Sequence, residues 1–331
     1  MEEKIIDMAL QNIENQCEIK GKWKPTDLPD LDGKLILTFQ GHKLTFNIEV
    51  KTELRHHQLP GLQNLAKKHA PLMIVAHRIF PKIKEELRHL NIAYLEANGN
   101  IFFQEKGTYI CIDTQQPLPT INTDRNRAFT KTGLRVVFQF LLAEEFINLP
   151  YREIAERLAV GLGNINYVMT GLKEMGFIVH LDKKRYRLQN KKQLLDKWIT
   201  AYKEKLQPDL LIGRFDFLDK DDYLRWKDIP LIPNKTRWGG EPAANILTDY
   251  LQPGKYTIYT AETRLEVIKK YKLFPEDNGP VAVYRKFWVD VRGYETTVPP
   301  ILVYADLASE GDRRLTETAE KIYNEYLQNK L

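Results

Sequence analysis

Residues 149–189 read LPYREIAERLAVGLGNINYVMTGLKEMGFIVHLDKKRYRLQ, and the period of their apolar residues decides the fold of the middle of the chain. Residues 151–158 have helical spacing, with Ile154, Ala155 and Leu158 on one side. Residues 160–163 form a short glycine-bearing turn. A second helix is expected over residues 164–175, with Ile165, Val168, Leu172 and Met175 on one stripe, Asn164 as its N-cap and Gly176 as its stop. FIVHLDKKRYRLQ then reads as two strands around a basic tip. Upstream, Leu134, Val137, Phe138, Leu141 and Leu142 recur at helical spacing over residues 132–145. Three helices followed by a basic hairpin are the layout of a winged helix-turn-helix.

That layout places the second helix of the pair in the major groove of double-stranded DNA, with its N-terminal residues near base edges. Those residues are Asn164, Asn166 and Tyr167, with Lys173 further along. Asn can pair bidentately with adenine. Lys183, Lys184, Arg185 and Arg187 on the wing are candidates for phosphate or minor-groove contact. The charge agrees: residues 124–205 hold 16 Lys and Arg against 9 Asp and Glu, a balance of +7 in a chain whose total is +5. Such a local excess is the footprint of a polyanion partner, because each neutralised phosphate releases counterions. Winged helices also serve as protein–protein interaction modules, and this stays as an alternative.

The remaining composition bounds the rest. With 331 residues, 43% of them hydrophobic, the chain has material for two or three domains and is not a disordered chain. Its longest apolar runs, residues 71–76 and 299–304, fall far short of the ~20 that span a membrane. The N-terminus is acidic and amphipathic, unlike a secretory signal. Two cysteines exclude a disulfide scaffold or a thiolate zinc site. A cytoplasmic protein without a membrane partner is expected.

The fold class expected is α/β (α+β) in three domains: a mixed-sheet domain over 1–115, the winged helix over 124–205, and an α/β domain over 206–331. In the first, residues 34–40 and 43–51 (KLILTFQ and KLTFNIEVK) form a hairpin, followed by helix, strand, helix and a second hairpin across Asn98-Gly99. In the last, PPILVYADL reads as a buried strand ending at Asp306, and Gly239-Gly240 as a chain reversal before a helix.

Strand alternation sets Glu49 and Lys51 on one face, with Asp32 just before the first hairpin strand. Asp32 and Glu49 can hold Mg²⁺ through oxygen, and Lys51 can position a water for attack on phosphate. These residues and the order of elements resemble the PD-(D/E)xK, restriction-endonuclease-like fold. The resemblance implies a Mg²⁺-dependent DNA endonuclease targeted by its winged helix, if the domain is active; otherwise no cofactor is expected. P-loop, dinucleotide-binding and nucleophile-elbow motifs are absent, which disfavours ATP, NAD and serine-hydrolase chemistry.

LVYADLASEGDRRLTETAEKIY, with WGGEPAANILTDYLQPGKYTIYT before it, resembles the C-terminal half of AbiEi-type antitoxins of bacterial type IV toxin–antitoxin (abortive infection) systems. The resemblance covers residues 125–331. It implies a DNA-binding transcriptional autorepressor and a nucleotidyltransferase-type toxin as functional partner, opposed without a stable complex. Analogy with winged-helix repressors on pseudo-palindromic sites adds a homodimer.

Overall fold

In a computed structural model, the structure describes residues 2–26, 28, 30–105, 107–118, 127–182, 185–291, 293–310 and 312–331, without the side chain of His57. The fold is mixed α/β, in two compact units, 1–122 and 123–331. Among the described residues no helix is long and apolar enough to cross a membrane.

The first unit is one seven-stranded sheet in sequence order: β1 (Lys20–Pro25), β2 (Gly33–Phe39), β3 (His42–Leu54), β4 (Leu72–Ile79), β5 (Ala93–Glu96), β6 (Ile101–Glu105) and β7 (Thr108–Ile112). β1, β2 and β3 are antiparallel, β3, β4 and β5 parallel, and the last two pairs antiparallel again. The two parallel steps need crossovers, supplied by α2 (Leu59–Lys68) and α3 (Pro81–His89). α1 (Glu2–Cys17) places Ile5, Ile6, Ala9 and Ile13 on one face of the sheet, against Leu35, Leu37, Phe46, Ile48, Val50 and Val75.

The opposite face divides. α2 and α3 cover its β4–β5 half, packing Leu59, Leu62, Ile83 and Leu87 on Ile74, Ala76 and Tyr94. β4 is therefore buried on both sides, and its residues 72–76 read as an unbroken apolar run. Over β1, β2 and the start of β3 the outward residues Lys20, Lys22, Lys24, Lys34, Ile36, Lys43 and Thr45 stay exposed. β1 lies in a stretch that reads as polar and Pro-rich; KGKWKP shows the sheet only Gly21 and Trp23.

The second unit has one core running from Ala128 to Leu327. The middle and C-terminal segments, expected as separate domains, share it. Their elements are α4 (Lys131–Leu142), α5 (Tyr151–Arg157), α6 (Leu162–Glu174), β8 (Ile178–His180), β9 (Tyr186–Leu188) and α7 (Lys191–Ala201). α7 continues through a π-helical turn, Tyr202–Leu206, into α8 (Gln207–Leu210). There follow β10 (Leu211–Phe217), β11 (Thr236–Gly239), α9 (Gly240–Thr248), β12 (Tyr256–Thr260), α10 (Arg264–Lys270), β13 (Leu273–Pro275), β14 (Val281–Arg285), α11 (Pro300–Ala308) and α12 (Arg313–Ile322). The five-stranded sheet has the order β11-β12-β14-β10-β13, with only β12 and β14 parallel.

Aromatic packing joins the halves. Phe138 of α4 lies 5.0 Å from both Trp198 and Phe287, and Trp198 stacks on Tyr202 at 4.6 Å. The Trp198 indole donates to the Leu134 carbonyl at 2.8 Å. Gln139, fully buried, donates to the Val289 carbonyl at 3.4 Å and accepts from its N–H at 3.0 Å.

PPILVYADL is a helix, not the expected strand. Every residue of α11 is buried, so it has no polar face to reveal a period. Asp306 therefore sits on a central helix rather than at a strand end. It accepts from the Tyr259 hydroxyl at 3.0 Å, the Tyr202 hydroxyl at 3.3 Å and the Gln207 amide at 3.0 Å, and burial pushes its carboxyl upward. Arg313 pairs with Glu317, and Arg314 approaches Glu241. At Gly239-Gly240 the chain passes from strand directly into helix. A Cβ on Gly239 would lie 2.6 Å from the Tyr259 ring, and one on Gly240 (φ +48°) 2.7 Å from the Thr257 hydroxyl.

Candidate nucleic-acid interface

Three helices and a hairpin occur in the expected order, and α5 meets α6 across a turn made by Ala159 (φ +49°) and Val160, whose N–H returns to the Ala155 carbonyl at 2.9 Å. Gly161 is the N-cap of α6, correcting Asn164 to a place inside the first turn, with Asn164 N–H bonded to the Gly161 carbonyl at 2.9 Å. The helix starts earlier than its apolar stripe implied, because it begins with Leu162, whose side chain is exposed, and Gly163, which has none. Ile165, Val168, Met169 and Leu172 face the core. Gly176 (φ +74°) ends the helix, and the Phe177 N–H caps the Leu172 carbonyl at 2.8 Å. What is left outward on α6 is Asn166, Tyr167, Thr170 and Glu174.

The hairpin pairs Ile178 with Leu188 and His180 with Tyr186. Asn148 acts as a third edge, accepting from the Tyr186 N–H at 2.7 Å and donating to its carbonyl at 3.1 Å. Lys173 does not reach outward. Its ammonium sits 4.3 Å over the Tyr186 ring and donates to that hydroxyl at 3.1 Å, bracing helix against hairpin. Arg185 is exposed and paired with Asp182 at 2.7 Å, and Arg187 is exposed on β9. Lys183 and Lys184 lie outside the described residues. The outward set thus comprises Asn166, Tyr167, Arg185 and Arg187, with Asn164 half-buried.

The sequence reading missed one member. The exposed guanidinium of Arg127, just before α4, lies 3.9 Å over the Tyr167 ring. No local spacing links residues so far apart in the chain. Arg135 of α4 is half-buried and donates to the Leu158 carbonyl at the end of α5 at 2.9 Å, where the helix dipole favours a cation.

In the first unit the β2–β3 register pairs Gly33 with Ile48; extended by one residue it sets Asp32 opposite Glu49. The Asp32 N–H bonds to the Ile48 carbonyl at 3.0 Å, and its carboxylate accepts from the Val50 N–H at 2.6 Å. Lys51 pairs with Glu49 at 2.5 Å. Burial raises the Glu49 carboxyl above its ordinary value; Lys51 opposes the rise and Asp32 adds to it. Asp32, Glu49 and Lys51 therefore come together. No group of three or more His, Cys, Asp and Glu side chains placed to hold a metal occurs among the described residues. The donor set fits Mg²⁺, which keeps several waters and takes one or two carboxylates, and a divalent cation there would relieve the Asp32–Glu49 repulsion.

The second unit is thus a mixed α/β unit that carries two helices joined by a tight turn and a two-stranded hairpin, with Asn166, Tyr167, Arg185 and Arg187 outward. Residues 187–328, from β9 through α12, match the family described as "Transcriptional regulator, AbiEi antitoxin, Type IV TA system". No curated protein and no solved structure matches the chain. The matched family points to a transcriptional regulator and antitoxin, with a toxin as partner.

Proposed function

We propose that the protein is a DNA-binding transcriptional autorepressor acting as the antitoxin of a type IV toxin–antitoxin system. The family match over residues 187–328 carries the reading. Residues 131–188 are read as a winged helix bolted to the matched layer. Asn166 and Tyr167 meet base edges from α6, Asn164 and Lys173 orient that helix, and Lys183, Lys184, Arg185 and Arg187 meet phosphates from the wing. The partner opposed is a toxin of nucleotidyltransferase type, without a stable complex, and the repressor works as a homodimer in the cytoplasm.

An electrophoretic shift with DNA from upstream of its own gene tests this. Binding should weaken steeply with salt, and Asn166→Ala should relax sequence preference while leaving the salt slope unchanged. Absence of any shift, or binding indifferent to salt, overturns it.

A second reading, a Mg²⁺-dependent DNA endonuclease, is favoured by the convergence of Asp32, Glu49 and Lys51. Asp32 and Glu49 would hold the cation, which supplies charge neutralisation at a phosphate. Lys51 would hold a water by its ammonium beside the site. Calorimetric titration with Mg²⁺ should find a site that Glu49→Gln removes, and nicking of supercoiled plasmid should be lost in Lys51→Ala. Intact plasmid after long incubation with Mg²⁺ and with Mn²⁺ removes the reading.

A further inference from the structure

We infer that the bare half of the first unit's sheet is a second contact surface for duplex DNA, one that grips backbone without reading sequence. The outward positions of β1, β2 and the first half of β3 are Lys20, Lys22, Lys24, Lys34, Ile36, Thr38, Lys43, Thr45 and Asn47. Five of these nine are lysine and none is acidic, in a chain where 49 basic residues face 44 acidic ones. All five lysines are exposed, and none makes an ion pair among the described residues.

Lysines on the edge strand β1 have an ordinary use, since charge there discourages edge-to-edge pairing. Lys34 and Lys43 lie on inner strands, where no edge needs guarding. Lys24 stands directly opposite Lys34, a like-charge cross-strand pair that costs stability and gains the fold nothing. A polyanion on this face turns that repulsion into attraction. With strands about 4.8 Å apart and alternate residues about 6.7 Å apart, the five ammonium groups form a two-dimensional array. Lysine is a point charge on a flexible stem, suited to phosphates at no fixed angle. No aromatic ring faces outward among these positions, so the surface lacks the stacking platform that single strands use. The same face leads along β3 to Asp32, Glu49 and Lys51.

The choice of DNA as the occupant rests on the winged-helix reading; the polyanion surface does not. The test uses the full chain and fluorescence anisotropy with a labelled DNA duplex of random sequence across a salt series. The variant carries Lys20→Gln, Lys22→Gln, Lys34→Gln and Lys43→Gln. The control loses the same charge at Lys4, Lys235, Lys269 and Lys272, exposed elsewhere. Each lost phosphate contact removes about 0.9 from the slope of log K against log salt, so the variant's slope should be shallower by about 3.6 and its affinity about tenfold or more weaker. The control should keep both. If the fourfold variant does not fold, Lys22→Gln alone should shallow the slope by about one. An unchanged slope, an equal loss in the control, or the same lysines serving only an RNA duplex or anionic vesicles overturns the proposal. Failure of the winged-helix reading shows differently, as upstream-DNA preference untouched by Asn166→Ala.

Discussion

The side-chain amide of Gln139 makes both hydrogen bonds to the backbone of Val289, 150 residues away, from a position with no exposed surface. Gln139→Ala removes both partners and leaves the N–H and carbonyl of half-buried Val289 unpaired. A loss of about 1–3 kcal/mol is expected for the second unit. Urea denaturation should show it as a lower midpoint with an unchanged slope; an unmoved midpoint contradicts the bolt.

Two glycines should respond oppositely to the same change. Gly239→Ala drives a methyl against the Tyr259 ring in a packed interior, and overpacking of that kind costs about 1–3 kcal/mol. Gly163→Ala meets nothing within 4 Å in the first turn of α6 and should stabilise by about 0.5–1 kcal/mol. Thermal melts of the pair check the contrast.

Asp306 gives the second unit a pH dependence of definite sign. Its folded carboxyl is raised by burial, so its contribution is fully present below the unfolded value near 3.8 and is lost as pH rises through the folded one. Asp306→Asn cannot titrate. The stability of the native chain minus that of the variant should therefore fall as pH rises from about 4. Denaturation series at stepped pH measure the difference, and a flat difference contradicts the assignment.

The Lys173–Tyr186 contact predicts that hairpin and helix move together. A cation–π contact at a partly exposed site is worth about 0.5–1 kcal/mol. Lys173→Ala should speed amide exchange in Tyr186 and Leu188 while leaving the core amides of α4 protected. Exchange unchanged at Tyr186 shows that the strand pairing and the bonds from Asn148 and Glu144 hold the hairpin without Lys173.

How much of this was legible in the sequence follows from how far apart the partners lie. The β2–β3 hairpin and the α5–α6 pair declare themselves because each carries its own period, 2 or 3.6, within a dozen residues. Glu49 and Lys51 were legible for the same reason, and Asp32 opposite Glu49 follows from the hairpin register. α11 was illegible because uniform burial erases periodicity; its surviving signal was the proline pair, Pro299 as N-cap and Pro300 in the first helical position. β1 hid because it shows the sheet only a glycine and a half-buried tryptophan. The Arg127–Tyr167 stack and the Gln139–Val289 pair join distant residues of ordinary local character, so nothing in either neighbourhood announces them.

The aromatic seam of Phe138, Trp198, Tyr202 and Phe287 bears on how such a protein is inherited. A helical segment that folded alone could be cut at residue 205 and grafted between genes. Here that cut strips Phe287 from Phe138 and Tyr202, Trp288 from Phe138, and Val289 from Gln139. The smallest piece that carries this core whole is the second unit, residues 123–331, so exchange between genes that keeps the core intact must move both halves together.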